Sequence, residues 1–178
     1  MADVTVLASA DVPARRLCDV RALLGAAFAG AFSADDWEHC LGGWHVLVVS
    51  PEGTLLSHAA VVPRVLEIAG KPVDAGYVEG VATAPVLQGR GFGTAAMRAV
   101  GDLLAARFEM GALSTSRPGF YERLGWQRWQ GPSFVRRGAQ LVRTPDEDDG
   151  IMVLRHDATL PVELTDPIAC HERSGDDW

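Results

Sequence analysis

Glu79 is the single acid in an otherwise apolar run, Tyr77-Val78-Glu79-Gly80-Val81-Ala82-Thr83. A glycine-rich segment, Gln88-Gly89-Arg90-Gly91-Phe92-Gly93, follows after Ala84-Pro85-Val86-Leu87. A carboxylate beside an electrophile takes the proton that an attacking amine must lose. An amine with a pKa of about 8 is only about one-tenth neutral at pH 7, and a positioned general base accelerates such a step by about 10²–10⁴. Glycines between a strand and a helix let backbone N–H groups come close to a phosphate, and the helix adds the positive end of its dipole. Each feature has a plainer reading when taken alone. An acid within a strand is ordinarily solvent-facing, and a glycine-rich loop is as readily just a tight turn. Spacing removes two alternatives. A P-loop ends in Gly-Lys-Ser/Thr, whereas Gly93 is followed by Thr94-Ala95. The dinucleotide fingerprint needs a third small residue where Thr94 stands, so neither pattern fits.

Other chemistry is poorly represented. The five histidines (His39, His45, His58, His156, His171) lack metal-ligand spacing and read as structural or surface residues, so no metal is expected. Ser57-His58 has no triad context. Cys18 and Cys40 read as small core hydrophobes. Three widely spaced cysteines, no C-x-x-C pair, no leader-like N-terminus and no long apolar run predict a cytoplasmic protein without disulfides or membrane spans. Residues 144–178 hold ten acids and two bases, while residues 1–143 hold thirteen acids and fourteen bases. No basic stripe exists for a nucleic-acid duplex. An acidic end is most often solvated or frayed; folded over a site, it suits a cation.

These residues need elements to position them. The 178 residues, 48% hydrophobic and 22% charged, fit one domain, 1–178, with a sizeable core. Val4–Leu7 reads as a strand, and Leu17, Val20, Leu23, Leu24 and Phe28 recur at helical spacing behind Pro13. Asp36-Trp37-Glu38-His39 forms a short turn or one helical turn before Gly42-Gly43. Val46–Val49 and Leu55–Val65 flank a Pro51-Glu52-Gly53 turn as a hairpin, and Val73–Thr83 is a long strand after Gly70-Lys71-Pro72. A helix with Ala96, Met97, Val100, Leu103, Leu104 and Phe108 on its apolar face follows the glycine loop. Strands at Gly111–Leu113 and Trp126–Trp129, a short helix at Gly119–Leu124 and a last strand at Ile151–Leu154 complete the pattern. The order predicts an α/β domain with a mostly antiparallel sheet and one crossover helix after the fourth strand.

Gln88, Gly91 and Gly93 match the acyl-CoA loop Gln/Arg-x-x-Gly-x-Gly/Ala of the GNAT acetyltransferases, in the same strand–loop–helix setting. Further blocks are Ala29-Gly30, Asp36-Trp37-Glu38-His39, Leu41-Gly42-Gly43, Gly76–Val81, Gly111–Ser114, Gly125-Trp126, Thr144-Pro145-Asp146 and the closing Gly175-Asp176-Asp177-Trp178. With these the chain resembles the aminoglycoside 2′-N-acetyltransferases of mycobacteria and related bacteria over nearly its whole length. The resemblance implies the GNAT fold, acetyl-CoA as co-substrate, a polycationic aminoglycoside as acceptor and a homodimer. It implies that Glu79 is a water-mediated base and that Tyr121 protonates the departing sulfur. By the same resemblance, Val81, Ala82 and Thr83 pair with the pantetheine arm, and Gln88, Gly89, Arg90, Gly91, Phe92 and Gly93 hold the pyrophosphate. Asp36, Glu79, the Gly80 carbonyl, Ser114, an acid of the 146–149 loop taken as Asp148, Asp176 and the Trp178 carboxylate would line the drug. Ala31 stands where relatives can carry another acid. Two further readings stay open: a GNAT enzyme for a polyamine, amino acid or protein N-terminus, and a non-catalytic acyl-CoA-binding module.

Overall fold

The computed structural model describes residues 2–157, 159 and 161–178. The chain forms two compact units, Met1–Val62 with Val78–Asp102 and Pro63–Tyr77 with Leu103–Trp178. Strands β3 (Leu55–Ile68) and β4 (Lys71–Thr83) and helix α3 (Phe92–Arg107) each contribute residues to both.

In the first unit, β1 (Asp3–Ala8) pairs antiparallel with β2 (Trp44–Val49), and β2 pairs antiparallel with the start of β3. Helix α1 (Ala14–Ala27) buries Val20, Leu23 and Leu24, one apolar stripe at helical spacing. Pro13 is its N-cap, where a missing N–H costs nothing. Phe28 at the C-cap stays 42% exposed, so the apolar stripe stops before it. Cys18 is also exposed, contrary to the core reading, because it falls off the Val20/Leu23/Leu24 face. Cys40 is fully buried, as expected of a small hydrophobe. Helix α2 (Ala34–His39) starts on a reciprocal capping box between Ser33 and Asp36. Val20, Leu23, Leu24, Cys40, Leu47, Leu55, Ala60 and Ala82 form this unit's core, with Trp37 packed against it.

The second unit adds β5 (Met110–Ser114), α4 (Pro118–Glu122), β6 (Gln127–Arg128), β7 (Ser133–Arg137), β8 (Gln140–Arg143), β9 (Ile151–Leu154) and β10 (Ile168–His171). Strand order is β6-β9-β5-β4-β3-β10-β7-β8. The β4–β5 ladder is parallel, over Ala75↔Met110 to Tyr77↔Ala112, which places the expected crossover helix α3 between them in sequence. The β10–β7 ladder is also parallel and was not foreseen; nor were β7, β8 and β10 themselves. A Cβ on Gly76 would sit 2.2 Å from Leu104, and one on Gly111 would sit 2.6 Å from it. Two glycines on neighbouring strands thus give Leu104 a flat seat. Strands β3 and β7 are also tied by the paired carboxylate of Glu67 and guanidinium of Arg136. Among the described residues no helix is long and apolar enough to cross a membrane.

Candidate functional site

In the first unit, Glu79 is half-buried on β4, and Gly80 beside it has φ +54°, a left-handed conformation inside a strand. Such a residue kinks a strand in the manner of a glycine bulge. A side chain there would be strained and would place its Cβ 2.7 Å from Cys40 Sγ, so glycine is required twice over. Two neighbours on β3 hold the carbonyls beyond Glu79. Ser57 Oγ donates to the Ala82 carbonyl at 2.7 Å and lies 2.9 Å from Thr83 Oγ1. His58 Nδ1 lies 2.8 Å from the Gly80 carbonyl, which accepts its hydrogen. The Gly80 carbonyl, assigned to the drug by resemblance, therefore already has a protein partner. Asp36 is similarly shared: one oxygen accepts from Ser33 N at 2.7 Å as a helix cap. Trp37 carries Arg21 on its ring at 5.7 Å.

After β4, a single 3₁₀ turn (Pro85–Leu87) leads into α3. Gln88 Nε2 reaches back to the Thr83 carbonyl at 3.4 Å. Gly89 and Gly91 have φ +76° and +87°, with open space where a Cβ would be. The first-turn amides of Phe92, Gly93 and Thr94 have no acceptor within their own helix, as at any helix start. No acid occurs between Glu79 and Asp102, whereas Arg90 and Arg98 do. An exposed loop of donors without acids, opening a long helix, fits a diphosphate. The Val81, Ala82 and Thr83 backbone lies directly upstream.

In the second unit, Tyr121 on α4 is buried against Phe120 and Trp126, with ring centroids at 5.0 and 6.0 Å. Burial pushes its hydroxyl up to about 12, against smaller opposing effects of a hydrogen bond with Thr115 and the charge of Arg117. It therefore remains a hydrogen-bond donor over the physiological range. Ser114, at the end of β5, donates to Glu147 Oε2 at 3.3 Å. Burial and then the charges of Asp176, Asp146 and Asp177 raise the Glu147 carboxyl above its ordinary value, partly offset by Ser114. Asp148 is engaged elsewhere. Arg143 Nη1 and Nη2 hold its two oxygens, and Ser133 N and Oγ donate to Oδ1 at 2.9 and 2.8 Å. The loop acid that meets Ser114 and Asp176 is Glu147, one residue from the Asp148 chosen from the sequence.

The C-terminal residues are not frayed. Trp178 is 4% exposed, and its Nε1 lies 3.3 Å from Thr144 Oγ1. Asp177 is bound by Arg137 Nη2 at 2.9 Å and by Arg173 N at 3.0 Å, while Arg64 Nη2 donates to its carbonyl at 2.9 Å. Arg64 and Arg173 also stand over the Tyr77 ring at 4.6 and 5.6 Å, an anchor that the sequence reading missed. Arg173 Nη2 donates to the Trp178 main-chain oxygen at 3.3 Å. Removing Asp176–Trp178 should therefore lower unfolding stability by about 3 kcal/mol or more through loss of a buried tryptophan. Thermal melting checks this; an unchanged melting point would mean that the tail is not docked. Among the described residues no three His, Cys, Asp or Glu side chains form a metal-holding group.

The family described as "Acetyltransferase (GNAT) domain" matches residues 12–129. The chain is 43% identical over 156 residues to an aminoglycoside 2′-N-acetyltransferase of Mycolicibacterium fortuitum, covering 85% of this chain and 80% of that protein. Among solved structures, the GNAT family N-acetyltransferase YhbS of Escherichia coli in complex with CoA superposes with a TM-score of 0.69 at 18% identity, covering 98% and 93% of the two chains. A GNAT family acetyltransferase of Brucella melitensis in complex with acetyl-CoA gives 0.62 at 18% identity, covering 95% and 96%. Other matched structures are longer proteins, and this chain spans 33% of one and 34% of another.

Proposed function

Because the chain belongs to the GNAT acetyltransferases, we propose that it moves the acetyl group of acetyl-CoA directly to the 2′-amino group of an aminoglycoside and so confers resistance. The similarity that carries the choice of acceptor is the 43% identity to the M. fortuitum enzyme. The acids Asp146, Asp176 and Asp177 that act on Glu147, the partner of Ser114, support it, because a polycation is the guest such a cluster favours. Acetyl-CoA supplies the activated acyl group as a thioester.

The protein's own groups then bind, orient and move protons. The amides of Gly89–Gly93 and the start of α3 grip the pyrophosphate. The Val81–Thr83 backbone, held on its other side by Ser57, pairs with the pantetheine arm. Glu79 takes the ammonium proton through a water, and the neutral amine attacks the thioester carbonyl. The C–S bond breaks as the Tyr121 hydroxyl protonates the departing sulfur, and the second proton shed by the acetylated nitrogen restores Tyr121. Asp36, Glu79, Gly80, Ser114, Asp176 and the Trp178 carboxylate contact the drug, and Glu147 takes the place assigned to Asp148. The protein acts in the cytoplasm as a homodimer.

Incubation with acetyl-CoA and a drug bearing a 2′-amine should add one acetyl, located at that nitrogen by mass spectrometry. A drug bearing a 2′-hydroxyl should show none at that position. Thiol release with other amines alone would move the acceptor to another small amine. No release with any amine would leave an acyl-CoA-binding module.

A further inference from the structure

Strand β3 opens with Leu55-Leu56-Ser57-His58-Ala59-Ala60-Val61-Val62, and every one of these eight residues is buried. Two polar side chains inside an apolar, wholly buried stretch of strand need partners. Ser57 has the Ala82 carbonyl and Thr83 Oγ1. His58 is the more telling, because its ring joins a second buried ring on the next strand. In the β2–β3 register His45 lies opposite Ala60 and Leu47 opposite His58, so the two histidines are diagonal neighbours on one face. His45 Nδ1 lies 2.9 Å from His58 Nε2, and both rings are fully buried.

The far end of this chain fixes every hydrogen in it. A carbonyl only accepts, so His58 Nδ1 carries the hydrogen given to the Gly80 oxygen. His58 Nε2 is then bare and accepts from His45 Nδ1–H. His45 Nε2 is left as a bare nitrogen, and it is buried without a hydrogen-bond partner. Burial pushes His58 down to about 3 and lowers His45, so both rings are neutral. The chain is no proton wire, since it ends on an amide carbonyl at one side and in an apolar interior at the other. Its effect is to pin the Gly80 carbonyl, and with it the left-handed kink immediately after Glu79.

We propose that His58, aligned by His45, is a positioning residue for acetyl transfer: its Nδ1–H locks the Gly80 kink and thereby the direction in which the Glu79 carboxylate points. The proposal rests on the reading of Glu79 as base. A displacement of the order of 1 Å in a reacting group costs about 100-fold in rate, so the lock has a kinetic signature that packing alone does not.

The test uses side-chain geometry. Asn places its amide nitrogen where His carries Nδ1, so His58→Asn keeps the donor to Gly80. Gln places its amide where His carries Nε2, so His58→Gln keeps the reach to His45 and loses that donor. We expect His58→Asn to retain kcat within about 3-fold, and His58→Gln to lose about 10-fold or more in kcat with the KM for acetyl-CoA little changed. A kcat loss that follows the melting temperature equally in both variants would overturn the positioning role. Nitrogen-15 spectra of the intact wild-type protein give a second readout that needs no variant to fold. Both rings should be the Nδ1–H tautomer, the His58 ring should stay neutral well below pH 6, and an Nε2–H tautomer at His58 would overturn the chain. Parental kcat in His58→Gln, where Glu79→Gln is impaired, overturns positioning alone. Parental kcat in Glu79→Gln, with the tautomers as stated, overturns the base reading instead.

Discussion

Glu79→Gln is expected to lower kcat/KM for the acceptor by about 10²–10⁴ at neutral pH, and by clearly less at alkaline pH. The substitution keeps the size of the side chain and one hydrogen-bonding oxygen but removes the ability to take a proton. At pH 7 an amine of pKa about 8 is about one-tenth neutral, whereas at pH 9 it is about nine-tenths neutral. The defect should therefore narrow by about 10-fold across that interval. A profile of kcat/KM from pH 6 to 10 for both proteins decides it. A loss of the same size at every pH would show that Glu79 orients the acceptor or shapes β4 without acting as base. Gly80 makes the latter a real competitor, because its left-handed backbone, with no room for a side chain beside Cys40, ties this stretch of β4 to the core. Melting curves recorded alongside separate the two: a base variant loses turnover at an unchanged melting temperature.

The parts of the molecule that were legible in the sequence are those with one dominant local signal. The glycine loop followed by an alanine-rich apolar stripe could hardly be anything but a loop opening a helix, and α3 begins inside that loop at Phe92. The one helical turn expected at 36–39 is there as α2, but it starts two residues earlier, because Ser33 and Asp36 cap it. The failures have equally physical causes. Strand β8 is exposed at all four residues, so no alternation of polar and apolar residues marks it. Strand β10 is four residues long, follows a polar stretch and finds its parallel partner β7 far away in the chain. Its existence depends on tertiary pairing, which a window of neighbours does not contain. His45 and His58 were visible only as histidines without metal spacing. Their role follows from a diagonal register between β2 and β3, and a residue list does not carry that register. The tail was visible as acids ending in an aromatic, but Arg64, Arg137 and Arg173, which dock it, are scattered over more than a hundred positions.

The same limit explains the one-residue difference between Asp148 and Glu147, and it yields a pair of substitutions with opposite outcomes. Pro145–Glu147 form a single 3₁₀ turn, after which the chain turns Asp148 toward Arg143 and Ser133. Four consecutive acids offer no sequence signal for which one faces Ser114. Hydrogen bonding to Arg143, then to Ser133, holds the Asp148 carboxyl below its ordinary value despite partial burial. A depressed carboxyl contributes stability that is present above its unfolded pKa and is lost as pH falls through the folded one. Asp148→Asn should accordingly lower the melting temperature at pH 7, lose that effect in acid, and leave the KM for the drug near parental. Glu147 has the reverse sign. Its carboxyl is raised, so its charged form is disfavoured in the folded chain, and stability falls as pH rises through that raised value. Glu147→Gln should raise the melting temperature slightly at pH 7. The same repulsion among Glu147, Asp146, Asp176 and Asp177 is relieved when a polycation binds. Loss of one charge-assisted hydrogen bond of about 1.5–3 kcal/mol should then raise the KM for the drug by about 10-fold or more, with the KM for acetyl-CoA unchanged. Lowering the pH on the wild-type enzyme should reproduce part of this increase, since protonated Glu147 no longer attracts an ammonium. If Asp148→Asn raised the KM for the drug and Glu147→Gln did not, the acid that binds the antibiotic would be Asp148, and its pairing with Arg143 would have to open when the drug arrives.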